Sequence, residues 1–344
     1  MLETWSLVNF NVLPEVLRYH ATHRGMFRAN ENLRQAIIVL PAGMSGGISD
    51  SNQRRWLSRG TLHRRVLPGD LFARVLSAAG LSVPGEGLAA LRLWGQTGDR
   101  PTGWIAAADP TNLEARLDHL RLHALSGAQS PEPDTRAIFD HLQKSLGGNS
   151  DFSFANIGEH AYLRGDKAIS TAAVSPQAID GLEPDEFMPS GSAAAGYLKL
   201  TSELQMCLHE HEVNLRREAE GLMPVNSIWL WGGGMAPEKK VASLPPLFGV
   251  EPLLQGYWES CTGVTESWPG NFAECLEVAV KDLVVVTPAE TGDGDAIAQY
   301  LDELRWLLSK GRLDRLVLLF RDGLSARYAR FDAFRHWRRV SPLL

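Results

Sequence analysis

The stretch that decides the fold is residues 192–234, SAAAGYLKLTSELQMCLHEHEVNLRREAEGLMPVNSIWLWGGG. Its first part places apolar residues three, four or seven positions apart, which is the spacing of one helix face; these are Tyr197, Leu200, Leu204, Cys207, Leu208, His211 and Leu215. Gly221 and Pro224 end the helix, because glycine suits a left-handed C-cap and proline cannot continue a helix. The spacing therefore predicts one long helix that begins at Ser192.

A buried strand follows this helix. Residues 226–231 place large apolar side chains on both faces of an extended segment. A strand that is apolar on both faces belongs in a sheet that is covered on both sides. Gly232, Gly233 and Gly234 come at its carboxyl end, where open α/β sheets bind their ligands. We therefore expect a glycine-lined ligand crevice at this edge.

Three other apolar runs, residues 35–40, 283–287 and 316–320, predict further strands. A helical segment, 296–308, separates the last two, and a strand–helix–strand unit pairs its strands in parallel within one sheet. Together these runs predict an α/β fold with a mostly parallel central sheet and helices on both faces.

The remaining elements are predicted from shorter patterns. Helices are expected at 71–79 (with Asp70 as the cap), at 114–120 after a strand, at 135–146 and at 271–280. Residues 126–134 are rich in Gly, Ser, Pro and acids, which marks a candidate boundary. We therefore divide the chain into an amino-terminal part of the α/β body (1–125), a smaller irregular α+β region (126–190) and a carboxyl-terminal part of the body (191–344).

The composition is that of an ordinary globular protein. The 344 residues are 44% apolar and 22% charged, with a net charge of −6. Three cysteines cannot form a fully paired disulfide framework, which favours a reducing compartment. We find no secretory signal and no apolar run of the roughly 20 residues that a membrane span needs. We therefore expect a cytoplasmic protein without a membrane contact.

Candidate anion-binding groups lie on both sides of the buried strand. Asn214 and Arg217 are three residues apart near the helix end, so both can face the same neighbour. The guanidinium fork of Arg217 suits a phosphate or a carboxylate, although a structural carboxylate would compete for it. Polar loops at 288–295 and 321–323 follow the last two long strands, and we expect them at the same edge as the glycines.

Metal-binding patterns are weak. Asp293, Asp295 and Asp322 could supply oxygen ligands to a divalent cation. Asp295 is better explained as the N-cap of the following helix. His119 and His123 could share a helix face, but no third ligand is placed by the sequence, and surface positions are favoured. The sequence therefore predicts no metal site.

Two segments are basic. Arg54, Arg55, Arg59, Arg64 and Arg65 form an arginine-rich passage that we interpret as a solvated face, with an anion or partner patch as the alternative. The tail, residues 321–340, interleaves arginine with aromatic residues and predicts an amphipathic helix docked on the body. A nucleic-acid contact is the least favoured interpretation, because the net charge is negative.

Several of these residues also carry a resemblance to a known family. The segments Glu203–Met206, His209–Asn214 and Pro224–Gly234, together with Asp109–Pro110 and Phe334–Arg339, resemble the bacterial regulatory proteins of the RpfE type. Proteins of this type look like distant relatives of the archaeal-type cofactor-independent phosphoglycerate mutases, in the alkaline-phosphatase-like superfamily. The resemblance therefore implies a degenerate alkaline-phosphatase-like fold.

The resemblance also implies that catalytic groups are missing. The mutases use two divalent metals, a serine nucleophile, an Asp-Gly after the first strand and later Asp and His ligands. Here the first strand leads into Pro41-Ala42-Gly43, and the last leads into Arg321-Asp322-Gly323 without an Asp-His pair. Two-metal phosphoryl chemistry needs several carboxylates and imidazoles around cations about 3.5–4 Å apart. The resemblance thus implies the scaffold without a cofactor.

Two functions follow from the sequence. The preferred one is a non-catalytic regulatory protein that senses a small anionic metabolite or binds a partner protein. Its predicted ligand-binding residues are Asn214, Arg217, Asn226, Trp231, Gly232, Gly233, Gly234 and Thr291. The alternative is a phosphoglycerate mutase or phosphatase that depends on Mn²⁺ or Zn²⁺ and has rearranged ligands.

Overall fold

A computed structural model of the chain describes residues 34–42, 48, 50–64, 70–147, 151–279, 281–289 and 296–344. The strands are β1 (Gln35–Leu40), β2 (Thr61–Arg64), β3 (Trp104–Ala115), β4 (Leu120–Ala124), β5 (Phe152–Ile157), β6 (His160–Gly165), β7 (Ser227–Met235), β8 (Leu247–Phe248), β9 (Thr265–Glu266), β10 (Leu283–Val286), β11 (Arg315–Phe320) and β12 (Leu324–Ala329). The helices are α1 (Ser51–Leu57), α2 (Leu71–Ala78), α3 (Leu88–Thr97), α4 (Glu132–Leu142), α5 (Ala194–Leu208), α6 (Glu212–Ala219), α7 (Pro252–Ser260), α8 (Phe272–Val278) and α9 (Ala296–Ser309).

The central sheet is mostly parallel, as the sequence predicts. Its order is β2-β12-β11-β1-β10-β8-β9, and β11, β1, β10, β8 and β9 pair in parallel. The antiparallel strands β12 and β2 complete one edge. β10 and β11 lie in the same sheet with parallel orientation, and β1 is inserted between them. The α/β fold class is therefore confirmed.

Helices cover both faces of this sheet, because β1 is apolar in both directions. Ile37 and Val39 pack with α2, α3 and α7. Ala36, Ile38 and Leu40 pack on the opposite face with α1, α8 and α9. The helices predicted at 71–79, 271–280 and 296–308 are confirmed as α2, α8 and α9, and the Asp70 carboxylate accepts the Phe72 N–H as the expected cap.

A second sheet contains β7, and this corrects the sequence prediction. β7 pairs antiparallel with β3, and the other edge of β3 pairs with β6 and β4, while β5 continues beyond β6. Trp229 and Trp231 face α3, and Ile228 and Leu230 face the cluster that includes α4 and α5. β7 is therefore covered on both faces, as expected, but it does not belong to the central parallel sheet.

This second sheet is built from residues 104–165 and 227–235. It therefore draws strands from all three parts into which the sequence analysis divides the chain, and the boundaries at 125 and 190 stay predictions. The short strands expected after residue 147 are present as β5 and β6. The helix expected at 135–146 corresponds to α4, which begins at Glu132 and continues into a π-helical turn, Gln143–Gly147.

The long helix expected from Ser192 is interrupted. α5 ends at Leu208, and His211 adopts extended dihedrals and caps α6, its Nδ1 accepting the Val213 N–H at 3.3 Å. Leu215 therefore leaves the apolar stripe and is 57% exposed. His211 is buried beside His141, and burial, followed by that second imidazole, lowers its pKa. His211 is therefore a buried, hydrogen-bonded residue of the core.

Two other predicted helices are strands. Residues 114–120 form the end of β3 and a turn into β4, because Leu113 pairs with Leu122 across an antiparallel hairpin. The tail is not one helix: Leu324, Ala326 and Tyr328 are buried alternately in β12, and a short 3₁₀ turn, Arg330–Phe334, follows. Burial with a period of two is the pattern of a strand with one face covered.

Helices α3 and α7 lie between the two sheets and approach each other closely at a pair of glycines. A Cβ on Gly256 would lie 1.8 Å from the Leu91 carbonyl oxygen, and a Cβ on Gly95 would lie 2.0 Å from that of Pro252. Only glycine fits at this crossing, because real side chains do not approach backbone so closely. The helix pair therefore fixes the separation of the two sheets.

A buried ion pair joins α3 to the second sheet. The Arg92 guanidinium donates to the Asp109 carboxylate at 2.9 Å, to the Ala161 carbonyl at 3.0 Å and to the Tyr162 hydroxyl at 3.2 Å. Trp231 Nε1 donates to the same carboxylate at 2.7 Å. Buried charges are tolerated only when they are paired and hydrogen-bonded, as they are here.

Replacing Gly256 by alanine should destabilise the protein. The added methyl group must separate α3 from α7, and overpacking of this kind costs about 1–3 kcal/mol in free energy of unfolding. Urea unfolding followed by circular dichroism measures this change. Gly85→Ala is the matched control, because a Cβ at Gly85 meets no atom within 4 Å; equal stability of the two variants would contradict the close crossing.

Asp109→Ala should destabilise the protein far more than Asp118→Ala. The first substitution leaves the Arg92 guanidinium buried without its carboxylate, which costs about 3–5 kcal/mol. Asp118 is 86% exposed, and a surface substitution changes stability by about 0.5 kcal/mol or less. Urea midpoints of both variants provide the test, and a small effect at Asp109 would show that Arg92 does not depend on this partner.

Candidate anion site at the carboxyl edge of the central sheet

Three strands of the central sheet end side by side. Val39 of β1 pairs with Val286 of β10, and Leu40 pairs with Phe320 of β11. The pairing continues for one more residue on each side: Thr287 donates its N–H and hydroxyl to the Val39 carbonyl, and Arg321 donates its N–H to the Leu40 carbonyl. The segments that follow β10 and β11 therefore begin at the same edge, as predicted.

The Arg321 side chain extends along this edge. Its Nη2 donates to the Thr287 carbonyl at 3.4 Å, and its Nη1 lies 3.7 Å from Oε2 of Glu251, at the start of α7. Its Nε is buried and has no acceptor among the described residues. Arg321 thus keeps a hydrogen-bond donor that the described part of the chain does not satisfy.

Arg64 approaches from the antiparallel edge of the sheet. Its partner across β12 is Leu324, which places it beside the turn formed by Arg321, Asp322 and Gly323. Nη2 of Arg64 lies 3.5 Å from Oδ2 of Asp322. Its Nε and Nη2 are buried without a hydrogen-bond acceptor in the described ranges. Two guanidinium groups with unsatisfied donors therefore flank this turn.

Arg74, in α2, holds the backbone on both sides of this turn. This side chain is 6% exposed and donates to the carbonyl oxygens of Phe320 at 2.9 Å and Leu324 at 3.0 Å. The two acceptors stand on either side of residues 321–323, so the guanidinium holds the end of β11 and the start of β12 together. Arg74 positions the site without facing a ligand.

A carboxylate lies beside each of the two arginines, Arg64 and Arg321, and offsets its positive charge. Glu251 lies next to Arg321, and Asp322 lies next to Arg64. Burial raises the pKa of Glu251, and the positive charge of Arg321 opposes that shift. The contacts of Glu251 with Arg321, at 3.7 Å, and of Asp322 with Arg64, at 3.5 Å, are longer than good hydrogen bonds. The edge can therefore bind a small phosphate or carboxylate in exchange for these loose contacts.

The predicted residues Asn214, Arg217 and Asn226 lie elsewhere, at the opposite end of β7 from its glycines. Asn214 bonds to the Leu208 carbonyl and to both backbone groups of Val225. Val225 is seven residues before Gly232, a separation of roughly 20 Å along a strand. The expected grouping of these side chains around the glycine segment is therefore wrong.

Arg217 and Asn226 also make structural contacts. Arg217 is 3% exposed and donates to the Met223 carbonyl, the Gln129 carbonyl and the Asp134 carboxylate. Asn226 exchanges two hydrogen bonds with the backbone of Leu113. These contacts tie the region around α6 to α4 and to β3. Their predicted role in ligand binding stays a prediction, with these donors already occupied.

The glycines line a cleft, but it is not the expected one. Gly232, Gly233 and Gly234 lie inside β7, where Gly233 donates its N–H to the Thr171 hydroxyl at 2.9 Å. With Trp104 and residues 168–173 they border a cleft of about 510 Å³, and none of the described residues that line it is cationic. Trp231 instead contacts Asp109. The cleft therefore offers less to an anion than the edge beside Arg64 and Arg321.

The candidate metal ligands divide into two groups. Asp293 and Asp295 lie outside the described residues, and Asp322 is at the carboxyl edge. Thr291, which is predicted as a ligand-binding residue, also lies outside the described residues. The described ranges contain no group of three or more His, Cys, Asp or Glu side chains arranged to hold a metal ion. His119 contacts Asp118, and His123 contacts Glu114, on the partly exposed β4 hairpin. The absence of a metal site therefore stays a prediction.

The sequence predicts a solvated face for Arg64, with an anion or partner patch as the alternative, but it does not predict that Arg64 and Glu251 lie beside the turn that contains Arg321. One signal was available, because Arg321-Asp322-Gly323 was recognised as a polar loop after a strand. The approach of Arg64 depends on β2 pairing with β12, which are distant in the chain. No local pattern reports such a pairing.

The described residues contain no helix long and apolar enough to cross a membrane.

No protein-family model matches the chain. Part of the chain is similar in sequence to cofactor-independent phosphoglycerate mutases. It is 30% identical over 125 residues to the 2,3-bisphosphoglycerate-independent phosphoglycerate mutase of Methanosarcina barkeri, covering 36% of this chain and 31% of that protein. It is 29% identical over 140 residues to a probable enzyme of the same name from Geobacter sulfurreducens, covering 40% and 35%.

The chain thus matches about a third of the length of each of these relatives. A solved cofactor-independent phosphoglycerate mutase from Thermoplasma acidophilum superposes on 86% of this chain and 90% of its own, with 16% identity and a TM-score of 0.38. Superposition at that score supports no inference about function. The similarity to the mutases is therefore partial and rests on sequence, and the resemblance to the RpfE type stays a prediction.

Proposed function

We propose that this protein is a cytoplasmic, non-catalytic regulatory protein that binds a small phosphorylated or carboxylated metabolite at the carboxyl edge of its central sheet. The observation that carries the proposal is the meeting of Arg64 and Arg321 at the turn after β11, each with a buried N–H that lacks an acceptor among the described residues. Leaving such donors unsatisfied costs free energy, and an anion would satisfy them.

The position of the site supports this proposal. Ligands of open α/β sheets bind outside the carboxyl ends of the parallel strands. Arg321 follows β11 at that end, and Thr287 follows β10. Arginine presents planar donors that match the oxygens of phosphate and carboxylate. Partial sequence similarity to phosphoglycerate mutases, which are named for a phosphorylated acid, makes acids of that class the first ligands to test.

The non-catalytic part of the proposal is supported by the side chains in the described part of the edge. Two-metal phosphoryl transfer requires several carboxylates and imidazoles around each cation. The described part of the edge supplies Glu251 and Asp322, and each lies next to an arginine. An arginine beside a carboxylate competes with a cation for it. This edge is thus better suited to holding an anion than to holding two metals.

Phosphorylated three-carbon acids should raise the melting temperature of the wild-type protein, and Arg321→Ala should abolish the shift. A ligand at 100 times its Kd stabilises the folded state by about 2.7 kcal/mol. Differential scanning fluorimetry with 3-phosphoglycerate, phosphoenolpyruvate and inorganic phosphate measures this. Arg116→Ala, which removes a half-exposed arginine from the β3–β4 hairpin, is the matched control and should retain the shift.

The outcomes distinguish whether the protein binds these acids from where it binds them. No stabilisation of the wild-type protein by any of these acids would overturn metabolite sensing. An equal shift in wild type and in the Arg321→Ala variant would place the ligand elsewhere. The circular dichroism spectrum and the melting temperature without ligand show whether the variant folds.

A second function, a metal-dependent phosphoglycerate mutase or phosphatase, is favoured by the partial similarity to the mutases. It requires Asp322 and residues of the segment 290–295 to supply ligands for Mn²⁺ or Zn²⁺. Elemental analysis of the purified protein and mutase assays with either metal distinguish it from the first. Stoichiometric metal and an activity lost in both Asp322→Ala and Asp293→Ala would establish the enzyme and overturn the non-catalytic proposal.

A further inference from the structure

Three large aromatic side chains stand exposed on the tail. Phe331 is 79% exposed, Phe334 is 67% exposed and Trp337 is 77% exposed. Phe331 and Phe334 lie within the 3₁₀ turn, where residues three apart stand one above the other. The docked amphipathic helix predicted from the sequence would have buried these rings. In the structure all three rings are exposed at the surface.

The backbone that carries these three rings is fixed by hydrogen bonds. Asp332 is buried and accepts the Ala329 N–H at 2.8 Å, and its other carboxylate oxygen pairs with Arg335 at 2.7 Å. Arg59 donates to the Ala333 carbonyl at 2.9 Å, and Arg338 donates to the Gly60 carbonyl. The tail is thus attached to the loop between α1 and β2. The aromatic rings are therefore presented from an anchored segment.

The segment that carries the three aromatic rings has a positive net charge. Residues 327–339 contain five arginines and one aspartate, and that aspartate, Asp332, is buried. Arg59, one residue of the arginine-rich passage, donates to the Ala333 carbonyl and so lies against the same segment. It adds a sixth arginine to this face of a protein whose net charge is −6. We call this face the aromatic–arginine surface, comprising Arg59, Arg327, Arg330, Phe331, Phe334, Arg335, Trp337, Arg338 and Arg339.

The chemistry of this surface selects its partner. Arginines neutralise a chain of phosphates, and exposed aromatic rings provide faces on which unpaired bases can stack. An acidic protein segment would use the arginines and leave the three rings exposed to water. A duplex would offer phosphates, but its bases are already stacked. A flexible polyanion that carries planar rings uses both kinds of side chain.

We propose that the aromatic–arginine surface binds single-stranded nucleic acid without strong sequence preference. The arginines contact the phosphates, and Phe334 and Trp337 stack on successive bases. This inference is independent of the metabolite site, because Arg64 and Arg321 are not part of the surface.

Binding is tested with the full-length protein and a fluorescein-labelled oligothymidylate of about 16 nucleotides, which spans a typical single-strand site. Fluorescence anisotropy should show binding that weakens as salt is raised, with quenching of tryptophan emission. Trp337→Ala and Phe334→Ala should each weaken binding about tenfold. Arg339→Glu should weaken it and make the dependence on salt less steep, because one phosphate contact is lost.

The controls are Leu117→Ala, which removes a fully exposed apolar side chain from the β3–β4 turn, and Lys240→Glu, which changes an exposed charge elsewhere. Both should bind like the wild type. Unaltered melting temperatures of the tail variants show that the exposed rings do not support the fold. Absence of binding, or equal binding by Trp337→Ala and wild type, would overturn the proposal. Binding to vesicles of anionic lipid but not to the oligonucleotide would overturn it in favour of a membrane surface.

Discussion

The parallel pairing of β1 between β10 and β11 is the constraint on which the rest of the structure depends. The three strands come from opposite ends of the chain, yet their registers align Val39, Val286 and Leu319 at one edge. Arg321 and Thr287 meet there because the strands end together, and Arg74 reinforces the turn from the adjacent helix.

The second sheet is joined to the central sheet through α3 and α7, in one shared core cluster. Gly95 and Gly256 allow these helices to touch, and Arg92 extends from α3 to the carboxylate of Asp109 in β3. The three layers on this side, helix pair, second sheet and the helices α4 and α5, explain why β7 is buried on both faces. The glycines of β7 serve close packing there as much as they border a cleft.

Much of this fold could be predicted from the sequence, and the failures have a common cause. β1, β10 and β11 were predicted because they are short and apolar on both faces. β7 has the same pattern, but burial on both faces does not reveal which strand lies alongside. The helix break at His211 depended on one side chain accepting the Val213 N–H. The tail was assigned to a helix because aromatic residues three apart suit a helix face. Tyr328 instead belongs to β12, where it is buried on the same face as Leu324 and Ala326.

The candidate site was predictable only in part. The turn after β11 was recognised from its local sequence. Arg217 was predicted because it lies three residues from Asn214 near a helix end and its guanidinium suits an anion, but its donors bond to Asp134 and to two backbone carbonyls. Arg64 could not be chosen, since its place beside Asp322 arises from the pairing of β2 with β12. Charged side chains in such a site depend on contacts between distant segments. Local periodicity carries no information about them.

The most direct test of the central claim is a crystal structure of the protein grown in the presence of phosphate. The account predicts a phosphate at the carboxyl edge of the central sheet, within hydrogen-bond distance of the Nε atoms of both Arg64 and Arg321. It would be contradicted by a structure in which these two guanidinium groups close onto Asp322 and Glu251 and no anion lies between them.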